Sequence, residues 1–182
     1  MTDRRVVYDG RIVKLGLETA IFPNGHRVAL EIIRHPGAAA VVPVHEDGTV
    51  TLVHQHRHAA GGMTLEVPAG VLEAGEAPAV CAARELAEEA QLAATELRFL
   101  SAIFTTPGFT DEKIHLFLAR GLRVAEGEPE EDEYIRLVRL PLTEALASCS
   151  DGRITDGKTI CALHLAAAVL QAERSDAGRA HS

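Results

Sequence analysis

Glu85, Glu88 and Glu89 stand at i, i+3 and i+4, a spacing that places three carboxylates within one turn on the same face of a helix. Between Ala77 and Leu92 the small and apolar residues Ala79, Val80, Ala83, Leu86, Ala87 and Ala90 recur every three or four positions, which predicts a helix with one buried face. Pro78 suits its first turn. Like charges at this spacing oppose each other by about 0.2–0.5 kcal/mol per pair on an exposed helix, so a bound cation is the obvious relief. Oxygen ligands with no His or Cys among them favour Mg²⁺ or Mn²⁺ over zinc. An acidic helix face taken alone is most often simply solvated. Here the surrounding pattern of Gly70, Glu76, Arg84, Leu86 and Leu92 at fixed offsets argues for chemistry instead.

Other residues could serve that chemistry. His54, His56 and His58 alternate along a strand-like run, but no fourth ligand accompanies them, so solvated or hydrogen-bonded histidines are the better reading. Arg57, interleaved with them, is a stronger candidate for contacting a phosphate. The acidic run EGEPEEDE at 126–133 reads by default as a charged loop. If it folds over the carboxylate helix, Glu131 or Glu133 could take a proton from a metal-bound water. TTPGFTDE at 105–112 reads as a turn between two strands. Phe22, Phe104 and Phe109 are candidates to stack on a base in a chain with no Trp and two Tyr.

The elements that must position these groups follow from pattern. The 182 residues suit one domain with an elaboration, and 47% apolar with 24% charged residues is ordinary for a globular protein. Eighteen basic against 26 acidic residues give a net charge of −8, which argues against nonspecific binding to nucleic acid or an anionic membrane. An anionic substrate therefore needs local help from a metal and a few placed arginines. Cys81, Cys149 and Cys161 form no CxxC pair and suggest neither a disulfide framework nor a zinc knuckle, which fits a reducing cytoplasm. No stretch has the apolar run of a signal peptide or a membrane span.

Two β-leaning runs around Pro23-Asn24-Gly25 predict an N-terminal hairpin, which is too small to stand alone and must pack on the domain or on a second subunit. GAAAVVPV at 37–44 and TVTLVHQH at 49–56 flank Glu46-Asp47-Gly48 and predict a second hairpin whose first strand is buried on both faces. Strand-like runs follow at LRFLSAIFT, KIHLFLARGL and EYIRLVRL. Thr143 is expected to cap a short helix through Ser148, and Thr155 or Asp156 a longer one over 155–174. Alternating strands and helices predict an α/β fold of layered α/β/α type. We divide the chain into an N-terminal β region at 1–36, a main domain at 37–174 and a loose tail at 175–182.

The chain resembles the Nudix hydrolases. Gly70, Glu76, Arg84, Glu85, Leu86, Glu88, Glu89 and Leu92 match the box Gx5Ex7REUxEExGU, where U is aliphatic, at every specified position except the last glycine, which is Gln91 here. That departure predicts a changed helix end with the carboxylates unaffected. Gly37 to Pro43, Glu66 to Gly70, Pro107 to Glu112, Glu131 to Glu133 and Asp156 to Thr159 extend the likeness to the ADP-ribose pyrophosphatases over roughly residues 6–173. The resemblance implies an α/β/α sandwich with a mixed sheet and an additional N-terminal hairpin. It implies hydrolysis of ADP-ribose to AMP and ribose 5-phosphate. Glu85 and Glu89 would be the main Mg²⁺ ligands, completed by Glu88 and the Ala69 carbonyl, with Mn²⁺ as a substitute. Glu76 and Arg84 would hold the carboxylates, Glu131 or Glu133 would act as base, and Arg57, Glu66, Pro107, Gly108 and Phe109 would contact substrate. Homodimers built through the N-terminal strands are common among such proteins. GDP-mannose, FAD or another nucleotide-diphosphate substrate is the near alternative, and a non-catalytic nucleotide-binding regulator the distant one.

Overall fold

The computed structural model describes residues 4–11, 13–125 and 135–179. They form β1 (Arg4–Asp9), β2 (Lys14–Ile21), β3 (Arg27–Arg34), β4 (Ala38–Pro43), β5 (Thr49–Arg57), β6 (Gly62–Glu66), β7 (Ala69–Val71), α1 (Pro78–Ala90), β8 (Leu92–Phe104), β9 (Lys113–Val124), β10 (Ile135–Pro141), α2 (Leu142–Ser150) and α3 (Gly157–Arg179). The strands make three sheets, ordered β1-β2-β3, β10-β5-β6 and β7-β4-β9-β8. The last is mixed, because β4 runs parallel to β9 and antiparallel to β7.

All six residues of β4 are buried, as its unbroken small and apolar sequence demands. Ala38, Ala40 and Val42 enter the main core with Leu52, Leu116, Leu118 and Leu163, which α3 helps to close. Ala39 and Val41 point the other way, into a smaller core with Cys81, Ala82, Leu86 and Phe117 under α1. Helices thus flank the sheet on both faces, as the pattern predicted. The alanines let α1 lie close to the sheet, which sets the depth of its carboxylates.

Three expectations about local structure need correction. The turn at 45–48 forms, with Gly48 at φ 79°, but β4 and β5 do not make a hairpin. They belong to different sheets and are bridged at Val44 and Val50, outside any shared ladder. Both edges of β4 are taken by β7 and β9, and both edges of β5 by β6 and β10, so the turn carries the chain from one layer to the other. Thr143 lies inside α2, and Pro141 stands at the capping position. Residues 175–179, assigned by composition to the tail, continue α3.

At the start of α3 Asp156 is the cap, its Oδ2 accepting the Thr159 N–H at 2.9 Å. The N-terminal hairpin forms as β2 and β3, paired from Lys14 with Arg34 to Ile21 with Arg27. β1 adds a third strand beside β2 that the sequence pattern did not show.

The end of α1 also differs from expectation. Gln91 adopts φ 55° and ψ 37°, the left-handed conformation a glycine would take, and its N–H bonds back to Leu86 and Ala87 carbonyls. Its own carbonyl accepts the Ala125 N–H at 2.9 Å, so the end of β9 is fixed to this turn. The helix end is therefore retained and carries the strain of a side chain. That strain costs about 1–2 kcal/mol, of which a glycine gives back about 0.4–1 kcal/mol as unfolded-state entropy. Gln91→Gly is expected to raise unfolding stability by about 0.5–1 kcal/mol in urea titration; a loss of stability would show that the Gln91 side chain contributes elsewhere.

Candidate active site

The carboxylates of α1 are set against β7 at two adjacent residues. A Cβ added to Gly70 would lie 1.7 Å from Glu85 Oε1, so only glycine leaves room for that carboxylate. One residue earlier, the Ala69 N–H donates to Glu89 Oε2 at 2.8 Å. Glu85 and Glu89 are buried, at 7% and 3% exposure, whereas the Glu88 side chain is 40% exposed. The i, i+4 pair faces the sheet and Glu88 turns to the opening.

Arg84 ties this group together. It donates from Nε and NH2 to Glu76 at 3.0 and 3.1 Å, and from NH1 to Glu85 at 2.6 Å and Glu88 at 3.0 Å. These bonds hold the Glu76 carboxyl well below the usual range, at about 2, and raise the Arg84 guanidinium further. Burial pushes the neighbouring Cys81 thiol up to about 12, which makes it an inert packing residue.

Glu85 and Glu88 open on a cleft of about 1360 Å³ that also meets β5, the start of α3, the 105–112 loop and the end of β3, whereas Glu89 lies outside its lining. Glu66, 2% exposed, anchors a second charged cluster on this cleft. It accepts from Arg57 Nε and NH2 at 3.0 Å each, from Thr64 Oγ1, and from Lys158 Nζ. Burial alone would raise the Glu66 pKa, but Arg57, Lys158 and Thr64 outweigh it and hold it at about 2. Lys158 also meets Asp156 Oδ1 at 3.1 Å, and the fully buried Thr159 hydroxyl accepts the Val67 N–H at 2.9 Å. The N-terminus of α3 is thereby fastened to the segment that carries Ala69 and Gly70.

Arg84, Glu85, Glu88, Ala69 and Arg57 all line the cleft. Glu66 supports Arg57 from behind. Of the 105–112 loop, Thr105 and Glu112 reach the lining, while Pro107, Gly108 and Phe109 lie outside it. The Phe109 carbonyl instead accepts the Ile33 N–H at 2.8 Å, so that part of the loop serves the N-terminal sheet. Phe104 lines the cleft with Lys113 Nζ 4.9 Å over its ring. His56 lines it too, and His54 Nδ1 lies 3.2 Å from Arg136. Glu131 and Glu133 fall outside the described residues. Sequence reasoning gave Lys158 no role, although it stands in the Asp156–Thr159 motif.

The NUDIX domain family model matches residues 34–163. The chain belongs to that family. Curated relatives of this Nudix chain include a methanol dehydrogenase activator from Bacillus methanolicus, 41% identical, and an ADP-ribose pyrophosphatase from Bacillus subtilis (strain 168), 38% identical, each covering 86% of both chains. A GDP-mannose pyrophosphatase from Yersinia enterocolitica is 37% identical over 73% of this chain and 74% of its own. Among solved structures, an ADP compounds hydrolase superposes with a TM-score of 0.83 over 95% of both chains at 24% identity, which supports the shared fold. The chain is thus a Nudix hydrolase with a mixed α and β architecture.

Nudix hydrolases use divalent cations, and the donor set here fits a hard one. Buried Glu85 sits against Gly70 and buried Glu89 on the Ala69 N–H, a third carboxylate stands at the opening, and none of the three positions is His or Cys. Among the described residues no three His, Cys, Asp or Glu side chains stand close enough together to hold a metal ion, and Arg84 NH1 bonds both Glu85 and Glu88. Among the described residues no helix is long and apolar enough to cross a membrane.

Proposed function

We propose that this chain hydrolyses the diphosphate linkage of ADP-ribose to AMP and ribose 5-phosphate, with Mg²⁺ held by Glu85, Glu89, Glu88 and the Ala69 carbonyl. The observation that carries this reading is the buried Glu85 and Glu89 pair on Gly70 and Ala69, beside a cleft lined by Glu85, Arg57 and Lys158. Bound there, the cation supplies charge neutralisation for the diphosphate and a water of lowered pKa. The chain's own residues supply position. Glu76 and Arg84 fix the carboxylates, and Glu66 holds Arg57 and Lys158 where they can receive phosphate oxygens.

A panel of ADP-ribose, GDP-mannose and FAD, assayed with and without Mg²⁺ and read by mass spectrometry, tests the reading. Preferred cleavage of ADP-ribose supports it. Preferred cleavage of GDP-mannose would move the chain towards the Yersinia relative. Silence on the whole panel would favour a nucleotide-binding regulator, although every glutamate of the box is retained.

The proton acceptor is proposed to be Glu131 or Glu133, because a carboxylate that coordinates metal has its lone pairs engaged and is a poor base. One of Glu131→Gln and Glu133→Gln is expected to lower kcat by about 10²-fold with KM nearly unchanged. If both retain kcat within about threefold, the base lies elsewhere.

We also propose a cytoplasmic homodimer formed through the N-terminal sheet. Val6, Val7, Tyr8 and Val13 are large apolar residues left exposed on and beside β1, as are Ile21 and Phe22 at the β2 turn. Deleting residues 1–34 is expected to give monomers or insoluble protein by size-exclusion chromatography. A soluble, active dimer would disprove the assignment.

A further inference from the structure

β6 and β7 belong to different sheets, and Val67 and Pro68 are the whole of the link between them. Both residues are buried. Val67 precedes a proline, which keeps it extended, and the ring of Pro68 locks its own φ. The direction of the Val67 peptide is therefore passed to Ala69 through few free torsions. β7 is only three residues long and pairs on one side, with β4. The Val41 N–H donates to the Pro68 carbonyl and the Leu72 N–H to the Gly37 carbonyl, each at 3.0 Å. That alternation puts Ala69, opposite Ala40, at a position whose N–H and C=O both face away from β4.

Side chains from two helices take the place of a strand along that edge. The Ala69 N–H meets Glu89 of α1, and the Val71 carbonyl accepts Arg84 NH2 at 3.2 Å. Two residues before Ala69, the Val67 N–H donates to Thr159 Oγ1 of α3. Thr159 is fully buried, and its hydroxyl donates in turn to Asp156 Oδ2 at 2.6 Å. With its proton committed to Asp156, the hydroxyl presents a lone pair to Val67. A run of buried, satisfied hydrogen bonds thus leads from the start of α3 to the stiff link that aims Ala69.

We propose that Thr159, oriented by Asp156, is a positioning residue for the Ala69 carbonyl. Through Val67 and Pro68 it sets where that oxygen stands against Glu85 and Glu89, and so sets the affinity for the divalent cation. This rests on the cation ligands proposed above, the Ala69 carbonyl included, and is independent of which nucleotide is cleaved. α3 supplies no carboxylate to the cation, yet one of its hydroxyls becomes part of how the site is built.

Mn²⁺ titration of the full chain without nucleotide, read by the electron paramagnetic resonance signal of the free ion, tests the proposal. Thr159→Val keeps the volume and removes the hydroxyl, and is expected to weaken Mn²⁺ binding about tenfold, the scale of one buried hydrogen bond. Thr159→Ser keeps the hydroxyl and should hold Mn²⁺ within about twofold of the parent. Both should melt below the parent, the valine variant from the unpaired Val67 N–H and the serine variant from the lost methyl. Only the valine variant should lose metal affinity, which separates positioning from a contribution to the fold alone. In turnover, the Mg²⁺ concentration for half-maximal rate should rise about tenfold in Thr159→Val, with the nucleotide KM at saturating Mg²⁺ nearly unchanged. Should thermal melting show Thr159→Val to be unfolded, Thr159→Ala removes the same hydroxyl with less crowding at the N–H it leaves, and is held to the same expectation.

Parental Mn²⁺ affinity in the folded variant that lacks the hydroxyl, or an equal loss in Thr159→Ser, would overturn the proposal and leave the cation ligands standing. A parent that binds no Mn²⁺ would overturn both. A parent that shows the expected pattern yet cleaves only GDP-mannose would overturn the ADP-ribose reading and support the role of Thr159.

Discussion

Glu89→Gln is expected to lower turnover of the preferred nucleotide diphosphate by about 10²–10³-fold at saturating Mg²⁺, the scale on which one preorganised electrostatic contact acts. Glu89 is almost fully buried and one of its oxygens accepts the Ala69 N–H. A glutamine keeps that oxygen and the shape, so the variant should fold, and what disappears is the charge that a cation requires. Glu88 gives the internal comparison. Its side chain is 40% exposed and it shares Arg84 with Glu85, so Glu88→Gln should be milder than Glu89→Gln. Metal titration of the rate, with circular dichroism to confirm folding, checks both. Near-parental turnover by folded Glu89→Gln would remove Glu89 from the metal site.

The box was legible because its chemistry is local. Glu85, Glu88 and Glu89 lie within one helical turn, and Gly70 is close enough in sequence for a fixed offset to encode contact with Glu85. The long-range contacts were not legible. Lys158 meets Glu66 across 92 positions and Arg34 meets Asp111 across 77, and no periodicity links residues so far apart. Strand pairing failed for the same reason. The turn at 45–48 was read correctly, but whether β4 and β5 pair depends on β6, β7, β9 and β10 competing for their edges. Gln91 shows the opposite case, in which a local rule predicted a change and the helix end and the residue after β9 held the backbone in place.

Glu66 offers the sharpest test of how the cleft is held together. Its carboxylate is 2% exposed and satisfied by Arg57, Thr64 and Lys158, so replacing it with glutamine removes the buried charge that Arg57 and Lys158 share and leaves Lys158 with Asp156. Breaking a buried pair in this way costs about 3–5 kcal/mol. Arg57 is itself 42% exposed and can turn to water, which puts the expected loss for Glu66→Gln near the lower figure, about 3 kcal/mol at neutral pH.

The pH dependence gives an independent reading of the same interaction. The folded pKa is depressed from 4.5 to about 2, so the unfolded chain binds the proton more readily. The contribution to stability is therefore fully present above pH 4.5 and is lost as pH falls towards 2; a shift of that size corresponds to on the order of 3 kcal/mol. Urea unfolding of the parent and of Glu66→Gln should show a gap that is constant from pH 7 to 5 and closes progressively below that. At neutral pH the variant should also raise KM more than it lowers kcat, since Arg57 and Lys158 would lose the anchor that presents them to phosphate. A gap that stays the same down to pH 3 would mean that Glu66 contributes through shape alone, and that its charge does not organise the cleft.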